Sequence, residues 1–190
     1  MRDDLLPVLA CPVCSEPLAR TAPGQAGCAN GHRYDEAKQG HLTLLPARRR
    51  ALTADTPEMV DARLRFLGRG HYAPVERALS SVVADASAPG VVLDVGSGPG
   101  TYLAHALEGT ASPGRPAGRL GVALDLSAVA VRRAARIHPH VGAVVGDVTE
   151  RLPVVDRAGA VVLDVFAPRN QTEYARGVTT ASTPTACSRW

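Results

Sequence analysis

Cys11, Cys14, Cys28 and His32 have the spacing C-x2-C-x13-C-x3-H. Two thiolates on one tight turn and a Cys/His pair on a second can close a tetrahedron around Zn2+. Pro12 in the first half and Gly31 in the second suit a backbone that must bend. All four positions are filled by protein, so the expected zinc is structural and has no open site for chemistry. The competing chemistry is a redox C-x-x-C, which opens a helix after a strand in a thioredoxin-like unit. Here Pro12 and Pro17 lie in a loop-rich segment, and a third cysteine and a histidine would be left unexplained. Cys187 receives no role. His41, His71, His105, His138 and His140 have no partner at ligand spacing and are assigned to surface or packing.

A second constellation begins at Asp94. The run Val92-Leu-Asp94-Val-Gly96-Ser-Gly98-Pro99-Gly100-Thr101 reads D-x-G-x-G-x-G. Glycines let a backbone approach a ligand closely and adopt positive φ. The run departs from the dinucleotide fingerprint, because Thr101 stands where that pattern needs its third glycine. Without a lysine it is not a P-loop. Asp125 and Asp147 follow at the ends of two further apolar runs. In open α/β sheets ligands lie at the carboxyl ends of strands, where a carboxylate can accept ribose hydroxyls or an adenine amino group. Each acid alone is equally well read as a helix cap or turn former. Together the three point to a nucleoside-bearing cofactor, and the acid–glycine pattern resembles S-adenosylmethionine-dependent methyltransferases.

The elements that would hold these groups can be read from periodicity. A helix is expected after Asp55 or Thr56, with Pro57 in its first turn and Met59, Arg63, Phe66 and Leu67 on one face. A second is expected from Pro74 to Ala86, with Val75, Leu79, Val82 and Val83 inward. Strands are expected at Val91–Val95, Leu120–Leu124, Val141–Val145 and Gly159–Phe166, with helices at Tyr102–Leu107 and Ala128–Ile137 between them. That alternation predicts a parallel sheet covered on both faces. Ser112–Gly118 reads as a surface loop. The chain divides into segments 1–46, 47–90, 91–176 and 177–190; the last lacks apolar periodicity and reads as a disordered tail.

The bulk properties are compatible with this. The chain has 190 residues, 45% of them hydrophobic, enough for one full domain and a small module. Its formal charge is +3, and Lys38 is its only lysine. Arginine forks suit phosphate and base edges, although a GC-rich gene would produce the same bias. The start carries two acids and no long apolar run, and no stretch nears the roughly 18 apolar residues of a membrane span. The expected location is cytoplasmic, without membrane contact.

The knuckle Cys11–Cys14 with Cys28 and His32, the run Asp35-Glu-Ala-Lys-Gln-Gly-His-Leu-Thr-Leu-Leu-Pro46, the run Arg63-Leu-Arg-Phe-Leu-Gly-Arg-Gly-His-Tyr72-Ala-Pro74, the turn Asp94–Gly100 and Val165-Phe-Ala-Pro-Arg-Asn170 resemble the large-subunit rRNA guanine-N1 methyltransferases. That group includes tylosin- and mycinamicin-type macrolide-resistance enzymes. The resemblance spans about residues 5–176. It implies an N-terminal zinc ribbon (1–46) that helps recognise a 23S rRNA hairpin, a helical linker (47–90), and a class I, Rossmann-like methyltransferase domain (91–176). It also implies cofactor contacts at Tyr72, Asp94, Gly96, Gly98, Pro99 and Gly100, with Asp125 on the ribose and Asp147 on the base. Methyl transfer to N1 of one guanine, with protection against macrolides, is the implied activity; the sequence leaves the oligomeric state open, a homodimer included. No catalytic base stands out: Asp164 is nearby but matches no family position. Phe166 reads either as a core residue or as a platform for the target base. Arg48-Arg49-Arg50 reads as a phosphate-contacting run or as a solvated linker.

The resemblance stops after Thr172–Arg176. A sheet of this class has further strands, and Gly177–Trp190 supplies none, so the domain is expected to be incomplete after its fourth strand, as from a frameshift near Arg176. Two alternatives have distinct signatures. A zinc-knuckle RNA-binding remnant would bind RNA and no cofactor. A small-molecule methyltransferase would share the glycine turn and normally lack the knuckle.

Overall fold

The computed structural model describes residues 1–45, 55–108, 110 and 118–179. After a 3-10 helix at Asp3–Val8, three short strands, β1 (Ala19–Ala22), β2 (Gln25–Gly27) and β3 (Arg33–Asp35), form an antiparallel sheet. β4 (His41–Thr43) then leaves this module and pairs in parallel with β7 (Val141–Val145). The remaining elements are α1 (Pro57–Leu67), α2 (Ala73–Asp85), β5 (Val91–Val95), α3 (Thr101–Leu107), β6 (Gly121–Asp125), α4 (Ala128–Ala134), β8 (Gly159–Leu163) and α5 (Gln171–Gly177).

The large sheet has the order β4-β7-β6-β5-β8, and all its pairs are parallel. Its four longer strands are those expected from the apolar runs, except that β8 ends at Leu163 and stops short of Phe166, whose backbone is left-handed. The fifth, β4, comes from the segment assigned to the zinc module; three residues are too few to show a period. Every residue of β5 and β7 is buried, as parallel strands covered on both faces require.

The two faces are covered by different parts of the chain. Leu93, Val95, Val122, Leu124 and Val144 face a core that also contains Leu5, Leu6, Leu9 and Leu18 of the N-terminal module. Val92, Ala123, Ala143 and Val145 face a second core with Leu79 and Val83 of α2, Leu103 and Ala106 of α3, and Val131 of α4. Leu5, Leu6 and Leu9 are fully or almost fully buried, and each contributes about 1.5–3 kcal/mol. The N-terminal module is therefore one layer of the domain, in the place where an α/β fold normally puts helices.

The helices start where their caps dictate. Thr56 accepts the Met59 N–H at 3.4 Å with Pro57 in the first turn of α1, and Ser127 accepts the Ala130 N–H at 3.2 Å at the head of α4. Arg132 and Arg133 in the last turn of α4 complement its dipole. The buried face of α1 differs from expectation. Val60 and Leu67 are buried, whereas Met59 and Phe66 are exposed. The helix touches the domain along the Val60–Leu67 stripe, and Phe66 turns instead toward aromatic rings described below. α5 ends at Gly177, and Val178 bridges Gly159 in parallel. Arg48–Arg50, most of the 112–118 loop, Cys187 and the tail beyond Thr179 lie outside the described residues.

Candidate metal centre and cofactor crevice

Two knuckles bring the four predicted ligands together. Cys11 accepts the Ser15 N–H at 2.8 Å, with Ser15 at φ +64°, and Cys28 accepts the Gly31 N–H at 3.1 Å, with Gly31 at φ +86°. Both turns thus carry a left-handed residue. The Sγ atoms of Cys11, Cys14 and Cys28 lie 3.5, 3.5 and 3.3 Å from His32 Nδ1, and Cys14 and Cys28 are 3.6 Å apart at sulfur. A tetrahedron with ordinary zinc bond lengths has edges of about 3.6–3.8 Å, so these atoms are placed to hold that ion. All four ligand atoms fall within 4.8 Å of one another. The Tyr34 hydroxyl, on β3, reaches Cys11 Sγ at 2.9 Å. Nothing in the Cys/His spacing signals this contact, which orients a ligand from outside the metal's own shell.

The predicted cofactor residues gather at the carboxyl ends of β5, β6 and β7. Gly96 (φ +75°), Gly98 (φ +53°) and Gly100 (φ +82°) bend the chain from β5 into α3. A Cβ on Gly96 would sit 2.3 Å from Ala167 Cβ. The Gly96 and Ser97 N–H groups both donate to Leu124 O, at 2.8 and 2.9 Å, and the Gly98 N–H donates to Asp125 Oδ2 at 2.7 Å. Asp125 Oδ1 accepts the Ser127 N–H at 2.7 Å. Burial raises the Asp125 pKa, opposed by those two N–H groups; Asp55 raises it further and Arg63 lowers it. Asp147 Oδ1 accepts from the Thr149 N–H and hydroxyl at 3.0 and 2.6 Å. Both acids thus form turns and also stand at strand ends, so the two readings of each are compatible.

Asp94 is 1% exposed, and its Oδ2 has no hydrogen-bond partner among the described residues. Burial, with Asp125 and Asp164 nearby, pushes its pKa up to about 8. A buried polar atom without a partner suits a site that a ligand completes. The glycine turn, with no Cβ at Gly96 or Gly98, and this acid therefore fit a cationic nucleoside cofactor.

Aromatic rings line the same end of the sheet. Tyr72, at the head of α2, has its ring 5.8 Å from Phe166, and Phe166 lies 6.5 Å from Tyr102. Phe66 lies 5.7 Å from Tyr72. Phe166 is 78% exposed at φ +60°, which rules out the core reading. Asp164 accepts the Tyr174 hydroxyl at 3.0 Å and is thereby tied to α5.

Comparison with known proteins agrees with this arrangement. The family model for the RlmA N-terminal zinc ribbon matches residues 9–51. A 23S rRNA (guanine-N1)-methyltransferase of Micromonospora griseorubida is 42% identical over 98% of the chain and 68% of its own length. The chain belongs to the 23S rRNA (guanine-N1)-methyltransferase family. A second relative, the 23S rRNA (guanine(748)-N1)-methyltransferase of Streptomyces fradiae, is 44% identical over 93% of the chain. A Bacillus subtilis relative, described only as a 23S rRNA (guanine-N1)-methyltransferase, is 29% identical over 87% of the chain. The chain spans 61% and 58% of the lengths of these last two family members. Among the described residues no helix is long and apolar enough to cross a membrane.

Proposed function

We propose that this chain transfers a methyl group from S-adenosylmethionine to N1 of a guanine in a 23S rRNA hairpin, in the cytoplasm where that RNA resides. The observation that carries the reading is the joining of a zinc ribbon to a glycine turn at the carboxyl end of a parallel sheet, with Asp94, Asp125 and Asp147 beside it. Cys11, Cys14, Cys28 and His32 hold zinc and fix the ribbon as a rigid surface for the RNA. Gly96, Gly98, Pro99, Gly100 and Tyr72 cradle the cofactor, with Asp125 toward the ribose and Asp147 toward the base.

The cofactor supplies an electrophilic methyl group, so the protein's part is placement. A guanine N1 inside a paired stem is inaccessible, and a hairpin loop offers bases that can be splayed out and stacked on aromatic rings. Phe166, exposed beside the glycine turn with the half-buried Tyr72 ring against it, suits that task. The Asp164 carboxylate, engaged by Tyr174, is not assigned as the proton acceptor.

The test is incubation of the zinc-loaded protein with methyl-labelled S-adenosylmethionine and unmodified 23S rRNA. Label should enter the RNA, and reverse transcription should stop beside one guanine, because N1-methylation blocks pairing. RNA that binds without acquiring label would select a non-catalytic RNA-binding role. Label in a small metabolite and none in RNA would sink the proposal.

A further inference from the structure

Arg63 occupies a place that the glycine turn and the zinc ribbon leave unexplained. It lies on α1, a helix that packs beside α4 and brings Arg63 to the glycine turn. Its Nη1 lies 3.2 Å from the point a Cβ on Gly98 would fill, so the guanidinium rests directly over the turn. The same nitrogen is 3.0 Å from Asp55 Oδ2, in a pair whose side chains are 47% and 24% exposed. α1 and the segment just before it are fastened to both ends of α4. Ser127 Oγ donates to Asp55 O at 3.3 Å, and Arg133 of α4 pairs with Asp61 at 2.8 Å.

The charge pattern around the turn is lopsided. Asp125 and Asp164 add to the raised pKa of Asp94, Asp55 adds to that of Asp125, and Arg63 is a cation whose field lowers those of both Asp125 and Tyr102. The cofactor of the proposed function carries two positive groups, a sulfonium and an ammonium, and one negative group, a carboxylate. Acids suit the first two. A carboxylate needs a donor, and an acid-rich crevice would repel it unless a cation intervened. A guanidinium presents five N–H groups in a planar fork matched to carboxylate geometry, more than one Asp55 carboxylate can saturate.

We propose that Arg63 binds the α-carboxylate of S-adenosylmethionine, making α1 the element that distinguishes the intact amino-acid end of the cofactor. This rests on the cofactor reading given above. Asp55 holds the guanidinium over Gly98 before the ligand arrives, which lowers the ordering cost on binding.

The test compares S-adenosylmethionine with its decarboxylated analogue, which keeps the nucleoside, sulfonium and amine, by calorimetry on the full zinc-loaded chain. The unsubstituted protein should favour the intact cofactor by about 10- to 100-fold, as expected of a charge-assisted pair. Arg63→Gln should lose that preference and bind the analogue as before, while Arg63→Lys should keep part of it. Asp55→Asn, which breaks the ion pair and leaves the guanidinium, should retain the preference at reduced size. Persistence of discrimination in Arg63→Gln, or its equal loss in Asp55→Asn, would overturn the proposal. An unsubstituted protein that binds the two ligands equally would overturn it while sparing the cofactor reading. One that binds neither would overturn both.

Discussion

The Asp125 carboxylate accepts the Gly98 backbone N–H at 2.7 Å, so the end of β6 holds the turn that leaves β5. Its second oxygen accepts the Ser127 N–H at 2.7 Å at the head of α4. One side chain therefore couples the glycine turn to the next helix. Asp125→Asn can accept only one of these N–H groups and turns its amide N–H2 toward the other. We expect S-adenosylmethionine affinity to fall about 10-fold or more, with a stability loss of about 1–3 kcal/mol from the unmatched donor. Calorimetry and urea unfolding would measure the two effects, and unchanged values would contradict the coupling.

Gly96 meets two constraints at once. At φ +75° any side chain is strained, and a Cβ would lie 2.3 Å from Ala167 Cβ. Gly24, in the β1–β2 turn at φ +71°, has nothing within 4 Å of its Cβ position. Gly96→Ala should therefore cost on the order of 3 kcal/mol, because strain and overpacking add. Gly24→Ala should cost about 1 kcal/mol, from the backbone alone. Denaturant midpoints of the two variants would separate the contributions; equal costs would mean the loop carrying Ala167 moves away without penalty.

The metal knuckle and the glycine turn were legible in the sequence because spacing alone constrains them. The spacing of Cys11, Cys14, Cys28 and His32 leaves a third cysteine and a histidine that a redox pair would not use, and Asp94-x-Gly96-x-Gly98 is too glycine-rich for a strand interior. The four longer strands showed themselves as apolar runs, each covered on two faces. What escaped were relationships across the chain. β4 is three residues long, and its place beside β7 depends on a partner about a hundred residues away. Arg63 shares one helical face with Met59, Phe66 and Leu67 in the sequence pattern, and periodicity reports a face and not what the face meets. Phe166 was ambiguous between core and surface, because a lone aromatic after an apolar strand fits either; its left-handed backbone is visible only in three dimensions.

Asp94 gives a pH dependence of defined sign. An unfolded aspartate titrates near ~3.9. In the fold, burial raises its pKa to about 8, ahead of the contributions of Asp125 and Asp164. Between those values the folded protein holds a proton that the unfolded chain has released, so the stability linked to Asp94 falls as pH rises from about 4 to about 8. Asp94→Asn, which cannot titrate, should show a flatter dependence. Urea midpoints at pH 6 and 8.5 would reveal it as a smaller loss in the variant. Identical losses would show that Asp94 is already ionised in the fold.

Zinc should stabilise more than the ribbon. Leu5, Leu6, Leu9 and Leu18 share a core with Leu93, Val122 and Leu124 of the large sheet. A structural zinc site contributes folding energy outright, and its loss here would loosen the layer that covers one face of that sheet. Chelation should lower the melting temperature by on the order of 10 °C or more, in one cooperative transition. Two transitions, with the upper one insensitive to chelator, would mean that the module and the sheet fold independently.

Phe166 separates stability from function. Its side chain is 78% exposed and its backbone sits at φ +60°, so the fold gains little from the ring and bears the cost of the left-handed conformation. Phe166→Ala should change stability by no more than about 0.5 kcal/mol, and Phe166→Gly should raise it by about 1 kcal/mol through relief of strain. Stacking of a base on an aromatic ring is worth about 1–3 kcal/mol, so methyl transfer to RNA should fall about 10- to 100-fold in both variants. Cofactor affinity should stay within a few-fold, since the ring faces solvent beside Tyr72 and Tyr102 and makes no hydrogen bond to the glycine turn. Single-turnover methylation and calorimetry on the same samples would decide the matter. Full activity in Phe166→Gly would show that the ring serves neither the fold nor the target base.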